Sequence, residues 1–101
     1  MKAHAIVWEF NAKRSAVKRF RKVYGPAGDW ARLFRQSPDF ISTGLLCDSK
    51  DPCRFLTVDL WKSKGAFAAF RKKYKAEYEA LDKKCEAMTE SEIKMGEFRQ
   101  F

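Results

Sequence analysis

The sequence predicts a single α+β domain in which one antiparallel sheet carries its helices on one face. Three observations predict it. Side chains alternate with a period of two near both ends of the chain, a turn-forming DSKDP separates two strand-like runs, and Trp61 closes the second run just before a long amphipathic stretch. With 101 residues and 46% hydrophobic content, the chain reads as one domain, 1–101, able to bury one core.

Residues 3–10 place His4, Ile6, Trp8 and Phe10 on one side and Ala5, Val7 and Glu9 on the other, the signature of a strand with both faces largely apolar. Ser15 is positioned to cap a helix whose buried stripe is Val17, Phe20 and Tyr24, and Gly25-Pro26 should stop it. A short second helix is expected to start at Asp29, present Trp30, Leu33 and Phe34, and end before Ser37-Pro38. Phe40–Cys47 and Arg54–Trp61 then form a hairpin around DSKDP. In the second of these strands Leu56, Val58 and Leu60 make one side uniformly aliphatic. Phe55, Thr57, Asp59 and Trp61 mix rings with polar groups on the other, which is the side where a site belongs.

Ser63 should cap the long helix that follows, with Phe67, Phe70, Tyr74, Tyr78, Leu81 and Cys85 along one stripe. From Glu90 to Phe101 the pattern alternates again, with Ile93, Met95, Glu97 and Phe101 against Lys94, Gly96 and Phe98. The order β, α (interrupted), β, β, α, β gives a ferredoxin-like βαββαβ sandwich. Because its strands are apolar on both sides, the free sheet face needs a cover, and the same face of a second chain supplies one in a homodimer. Fifteen aromatic residues, nine of them Phe, exceed what a small monomeric core needs and point to a pocket or an interface.

Other classes are bounded by composition. Cys47, Cys53 and Cys85 form no CxxC or Cys/His cluster, which argues against a structural metal site and against a disulfide framework. Cys47 and Cys53 flank the hairpin turn and could bridge only if oxidised. The N-terminus has no apolar run of signal length and no segment approaches a membrane span, so the expected location is cytoplasmic. A net charge of +8 invites nucleic acid. The basic runs KRSAVKRFRK and RKKYK, however, belong to solvated helix faces, and KGAFAAF lies on a helix instead of an exposed sheet, which argues against an RNA-recognition module.

With these elements placed, the chain resembles the antibiotic biosynthesis monooxygenase (ABM) type of domain in the dimeric α+β barrel superfamily. The resemblance rests on IVWEF leading to AVKRF, on the hairpin, on DLWKSKGAFAAF, and on MGEF in the last strand. It implies a dimeric α+β barrel with a mostly apolar pocket between sheet and helices in each subunit. It also implies one of three roles: oxidation of phenols without metal or flavin, degradation of haem, or no catalysis at all. Haem degradation in that superfamily goes with a His in the helix after the tryptophan, and Lys62–Met88 contains none; the sole histidine, His4, reads as an ordinary strand residue.

The expected function is therefore that of a cofactor-free monooxygenase-like protein acting on or binding a small phenolic or quinone compound. The alternative is a non-enzymatic homodimeric module. Oxygenation of this kind needs a dry cavity, a base, and donors for an anion. The expected catalytic residues are Asp59, Trp61 and Glu9, with Trp8, Tyr74, Tyr78 and Phe67 as pocket residues, no metal ligand and no cofactor. Trp61, Tyr74 and Tyr78 read more simply as core packing, Trp61 as an anchor and the two tyrosines on a helical core stripe. Asp59 stands out, because a carboxylate among apolar neighbours needs a partner or a shifted pKa. Arg54, Arg71 or a helix lysine could supply the partner.

Overall fold

The computed structural model describes residues 2–101. Strand β1 (His4–Ala12) leads through a 3-10 turn into α1 (Val17–Tyr24) and α2 (Asp29–Phe34). Strands β2 (Phe40–Cys47) and β3 (Arg54–Trp61) form the hairpin. Helices α3 (Lys64–Lys73) and α4 (Lys75–Cys85) precede β4 (Thr89–Arg99). The sheet is antiparallel in the order β2-β3-β1-β4, with the helices on one face, the ferredoxin-like arrangement expected from the sequence. None of the described helices is long and apolar enough to cross a membrane.

Register decides which side chains meet the helices. His4 stands opposite Trp61 and Asn11 opposite Arg54 along the central β1–β3 pair. Ile6, Phe10 and Ala12 therefore share the inner face with Phe55, Thr57 and Trp61, and all six are buried. Helix α1 fills this face with Phe20, which is fully buried and lies 4.2 Å from the ring of Tyr24 and 4.8 Å from that of Phe55. The mixed side of β3 thus faces the core, and the aliphatic side faces outward.

Several boundaries differ from the sequence expectation. Strand β1 runs on to Ala12 because its partners do, so Asn11 lies within it and donates a hydrogen bond to Ser91 Oγ at 3.1 Å. Ser15 sits inside the 3-10 turn and caps nothing; α1 begins after Ala16 without a side-chain cap. Asp29 is the first residue of α2, where it pairs with Arg32 at 3.1 Å, and Gly28 takes the cap position. A side chain there is sterically impossible, since a Cβ on Gly28 would lie 2.3 Å from the carbonyl oxygens of Lys22 and Val23. Ser63 does cap α3, accepting the Ala66 N–H at 3.0 Å.

The long helix is interrupted at Tyr74, whose φ of −107° and ψ of 31° leave the helical region while the i to i−4 bonds on either side persist. The bend lets one stripe serve two sites: Phe70 reaches Trp61 and Tyr78 reaches Trp30. In β4 the alternation is broken by a bulge, where Val7 faces Gly96 and Trp8 faces Lys94. Gly96 holds φ +155° there, a conformation that side chains avoid. Phe101 lies beyond the strand and is exposed. All three cysteines are free thiols, with Cys85 buried at the C-terminal end of α4.

Candidate functional site

The inner face of the sheet does not close fully against the helices. A cavity of about 150 Å³ remains, walled by six rings: Trp8 and Phe10 from β1, Tyr24 from α1, Trp30 and Phe34 from α2, and Tyr78 from α4. Its polar lining consists of Thr43, Thr57, Asp59, Arg71, Asp82 and Glu92. Tyr78 meets Trp30 edge to face at 5.0 Å, which fixes the wall formed by α2 and α4.

Asp59 is the centre of this lining. Hairpin register sets it directly across from Thr43, whose hydroxyl donates to Asp59 Oδ1 at 2.5 Å. None of the expected cationic partners reaches it. Arg54 lies on the outer face and binds Glu9 and, at 2.8 Å, Asp48. The Arg71 guanidinium lies over the Tyr78 ring, 4.3 Å from its centroid. Burial therefore pushes the Asp59 carboxyl up to about 6, against the smaller opposing effect of the Thr43 hydrogen bond. A carboxylate whose pKa is near neutrality, beside aromatic walls, is suited to taking and returning a proton.

The neighbouring groups are perturbed in the same sense. Burial raises the Tyr78 phenol; Arg71 opposes this, and Asp82, Asp59 and Glu92 add to it. Asp82 and Glu92 are both raised, first by desolvation and then by nearby carboxylates, Glu86 for Asp82 and both Asp82 and Glu86 for Glu92. Among the described residues no three His, Cys, Asp or Glu side chains converge as a metal site.

Of the residues expected from the sequence, the cavity brings together Trp8, Asp59 and Tyr78. Glu9 follows Trp8 in a strand, so it points to the opposite face and is held by Arg54 away from the cavity. Trp61 has no exposed surface and packs against Phe34, Phe40, Phe67 and Phe70 with ring centroids 5.0 to 5.4 Å away. Its indole N–H has no hydrogen-bond partner among the described residues. Phe67 packs on Trp61, and Tyr74 on Phe70 at 5.1 Å; neither lines the cavity. His4 binds Glu97 at 2.7 Å at the sheet edge, and the Lys94 and His4 hydrogen bonds hold Glu97 well below the usual carboxylate range.

No family model and no curated protein matches the sequence. Solved structures do match the fold. SnoaB, described as a cofactor-independent oxygenase from Streptomyces nogalater, superposes with a TM-score of 0.70 at 19% identity over 97% of this chain and 92% of its own. A proposed antibiotic biosynthesis monooxygenase from Nitrosomonas europaea gives 0.67 at 14% identity over 96% and 85%. One from Chloroflexus aurantiacus gives 0.66 at 13% identity over 98% and 93%. The chain has the fold of the ABM domains that its sequence resembles.

Proposed function

We propose that this chain is a cofactor-independent, ABM-type monooxygenase that takes a small phenol into the cavity and uses Asp59 as its base. The observation that carries the reading is the Asp59 carboxyl, set in the ring-walled cavity, hydrogen-bonded by Thr43 alone among the described residues, and pushed by burial up to about 6. The likeness to SnoaB, itself described as a cofactor-independent oxygenase, supports it.

The chemistry follows from the site. Asp59 takes the phenolic proton, and the electron-rich phenolate adds dioxygen at a ring carbon bearing hydrogen. The peroxide anion so formed recovers that proton from Asp59. The hydroperoxide then loses water by breaking its O–O bond together with the ring C–H bond. Phenol and dioxygen thus become quinone and water, with dioxygen as the only oxidant. The walls contribute by excluding water that would otherwise solvate the phenolate and quench its reactivity.

Oxygen consumption measured with a panel of catechols, hydroquinones and hydroxynaphthoquinones tests the reading. Uptake of one dioxygen per quinone formed, saturable in phenol, is the expected result. Saturable binding without oxygen uptake would reduce the chain to a ligand-binding module, and no binding across the panel would remove the cavity as a site.

The outer sheet face completes the proposal. Val7, Leu56, Val58 and Leu60 lie there half-buried, and Leu46, Ile93 and Phe98 are more than half exposed, at 56%, 56% and 54%. A largely apolar face of this kind, crossed by the Glu9–Arg54 ion pair, calls for a cover, and the same face of a second copy is self-complementary. The chain should sediment as a dimer, and Val58→Lys, which sets like charges against each other at the centre of that face, should sediment as a monomer. A monomeric parent chain would remove the dimer.

A further inference from the structure

The charge of the cavity runs against the charge of the chain. The sequence carries a formal +8, yet Asp59, Asp82 and Glu92 line the cavity against a single cation, Arg71. Arg71 forms no ion pair with any of them and lies over the Tyr78 ring instead. The Oδ1 of Asp59 accepts the Thr43 hydroxyl, while Oδ2 receives no donor among the described residues and Asp59 keeps an unburied surface in the cavity lining. The three acids are not gathered into metal-ligating geometry. They stand apart around a ring-lined space, so the missing positive charge suits a spread-out organic cation better than a metal ion.

The rings point the same way. The faces of Trp and Tyr attract cations through their quadrupoles, and a cage of such rings with nearby carboxylates is suited to ammonium groups. Arg71 over Tyr78 shows that one wall ring already takes a guanidinium, whereas no described side-chain cation lies over Trp8 or Trp30. Size narrows the ligand further. At about 150 Å³ the cavity matches one benzene-sized guest, with any substituent reaching toward the exposed Glu92.

We infer that the cavity selects a single-ring phenol bearing a basic amine, with the hydroxyl toward Asp59 and the ammonium group held between the wall rings and the Asp82 and Glu92 carboxylates. This rests on the reading of the cavity as a ligand site and names the class of its substrate. A phenol carrying a carboxylate is disfavoured by the same three acids.

Calorimetric titration without oxygen tests binding apart from oxidation. Three catechols that differ in charge serve as probes near neutral pH: dopamine as the cation, 4-methylcatechol as the neutral form, and 3,4-dihydroxyphenylacetate as the anion. Dopamine should bind about tenfold more tightly than 4-methylcatechol, and the anion weakest of the three. Substituting the mouth acids together, Asp82→Asn with Glu92→Gln, should remove most of the dopamine advantage and leave 4-methylcatechol affinity within about twofold. Both positions are exposed, at the surface end of the cavity, and a circular dichroism spectrum matching the parent's is the control that the double variant is folded. Equal affinity for the three probes, preference for the anion, or an unchanged dopamine advantage in the double variant would overturn the inference while leaving the phenol site standing. Failure of all three to bind would overturn both.

Discussion

The Asp59→Asn variant should lose on the order of 10²- to 10⁴-fold in turnover and yet unfold at a higher temperature than the parent chain near pH 8. The two effects have one cause. In the folded chain burial pushes the Asp59 carboxyl from 3.8 up to about 6. Between those values the native state keeps a proton that the unfolded state has released, so this group's contribution to stability declines as pH rises through that window. Above about pH 6 the native state carries the full cost of an ionised, poorly solvated carboxylate, at most about 3 kcal/mol. Asparagine has the same shape, accepts the Thr43 hydroxyl through its amide oxygen, and carries no charge. It should therefore raise Tm by on the order of 10 °C at alkaline pH, and by little or nothing at about pH 4, where the native Asp59 is protonated.

Activity should follow the opposite slope, rising with pH through about 6 as Asp59 becomes a base. Thermal melts and oxygen-uptake rates across that range read both. An Asp59→Asn chain that melts lower than the parent at alkaline pH would show that the carboxylate is well solvated. One that turns over normally would show that another group takes the proton.

Much of this site is written in local pattern. Period-two alternation in β3 separates Leu56, Val58 and Leu60 from Phe55, Thr57, Asp59 and Trp61, and the structure turns the mixed side inward. Thr43 was not legible: with DSKDP as the whole turn Cys47 would face Cys53 and Thr43 would face Thr57, whereas the hairpin pairs Cys47 with Phe55 and so sets Thr43 against Asp59. Arg71, Tyr78 and Asp82 share a helical face at spacings of seven and four, so their common wall follows from the period of α3 and α4 even across the bend.

The remainder is tertiary. Trp30 and Phe34 arrive in the cavity because α2, six residues long, is set against α4, and nothing in their neighbours encodes that contact. Glu92 reaches the lining through β4 pairing with Phe10, ahead of a bulge that changes the alternation downstream. The opposite fates of Trp8 and Glu9 depend on which face of β1 meets the helices. When both faces are apolar, that choice is made by the helices and by whatever covers the other side.

Trp61→Ala should cost about 3–5 kcal/mol, most of the stability that a domain of this size has to lose. Trp61 is fully buried among Phe34, Phe40, Phe67 and Phe70, joining α2, β2, β3 and α3 at one point. Truncating it leaves a cavity that rigid strand and helix ends cannot fill. Trp61→Phe separates anchoring from catalysis. A phenyl ring retains contact with the same four neighbours and removes an indole N–H that has no partner, so the lost packing is partly offset by relief of an unsatisfied donor. Its expected cost is about 1–2 kcal/mol, with turnover within about threefold of the parent.

The alternative makes a different prediction. A donor that stabilises the phenolate or the peroxide is worth about 10²- to 10³-fold in rate, and Trp61→Phe would then lose that much turnover at unchanged fold. The sealed indole nitrogen, outside the walls of the cavity, favours the first outcome. On that outcome the tryptophan that marks the fold in the sequence holds α2 and α3 against the sheet, and Asp59, two residues before it on the same face of β3, carries the chemistry.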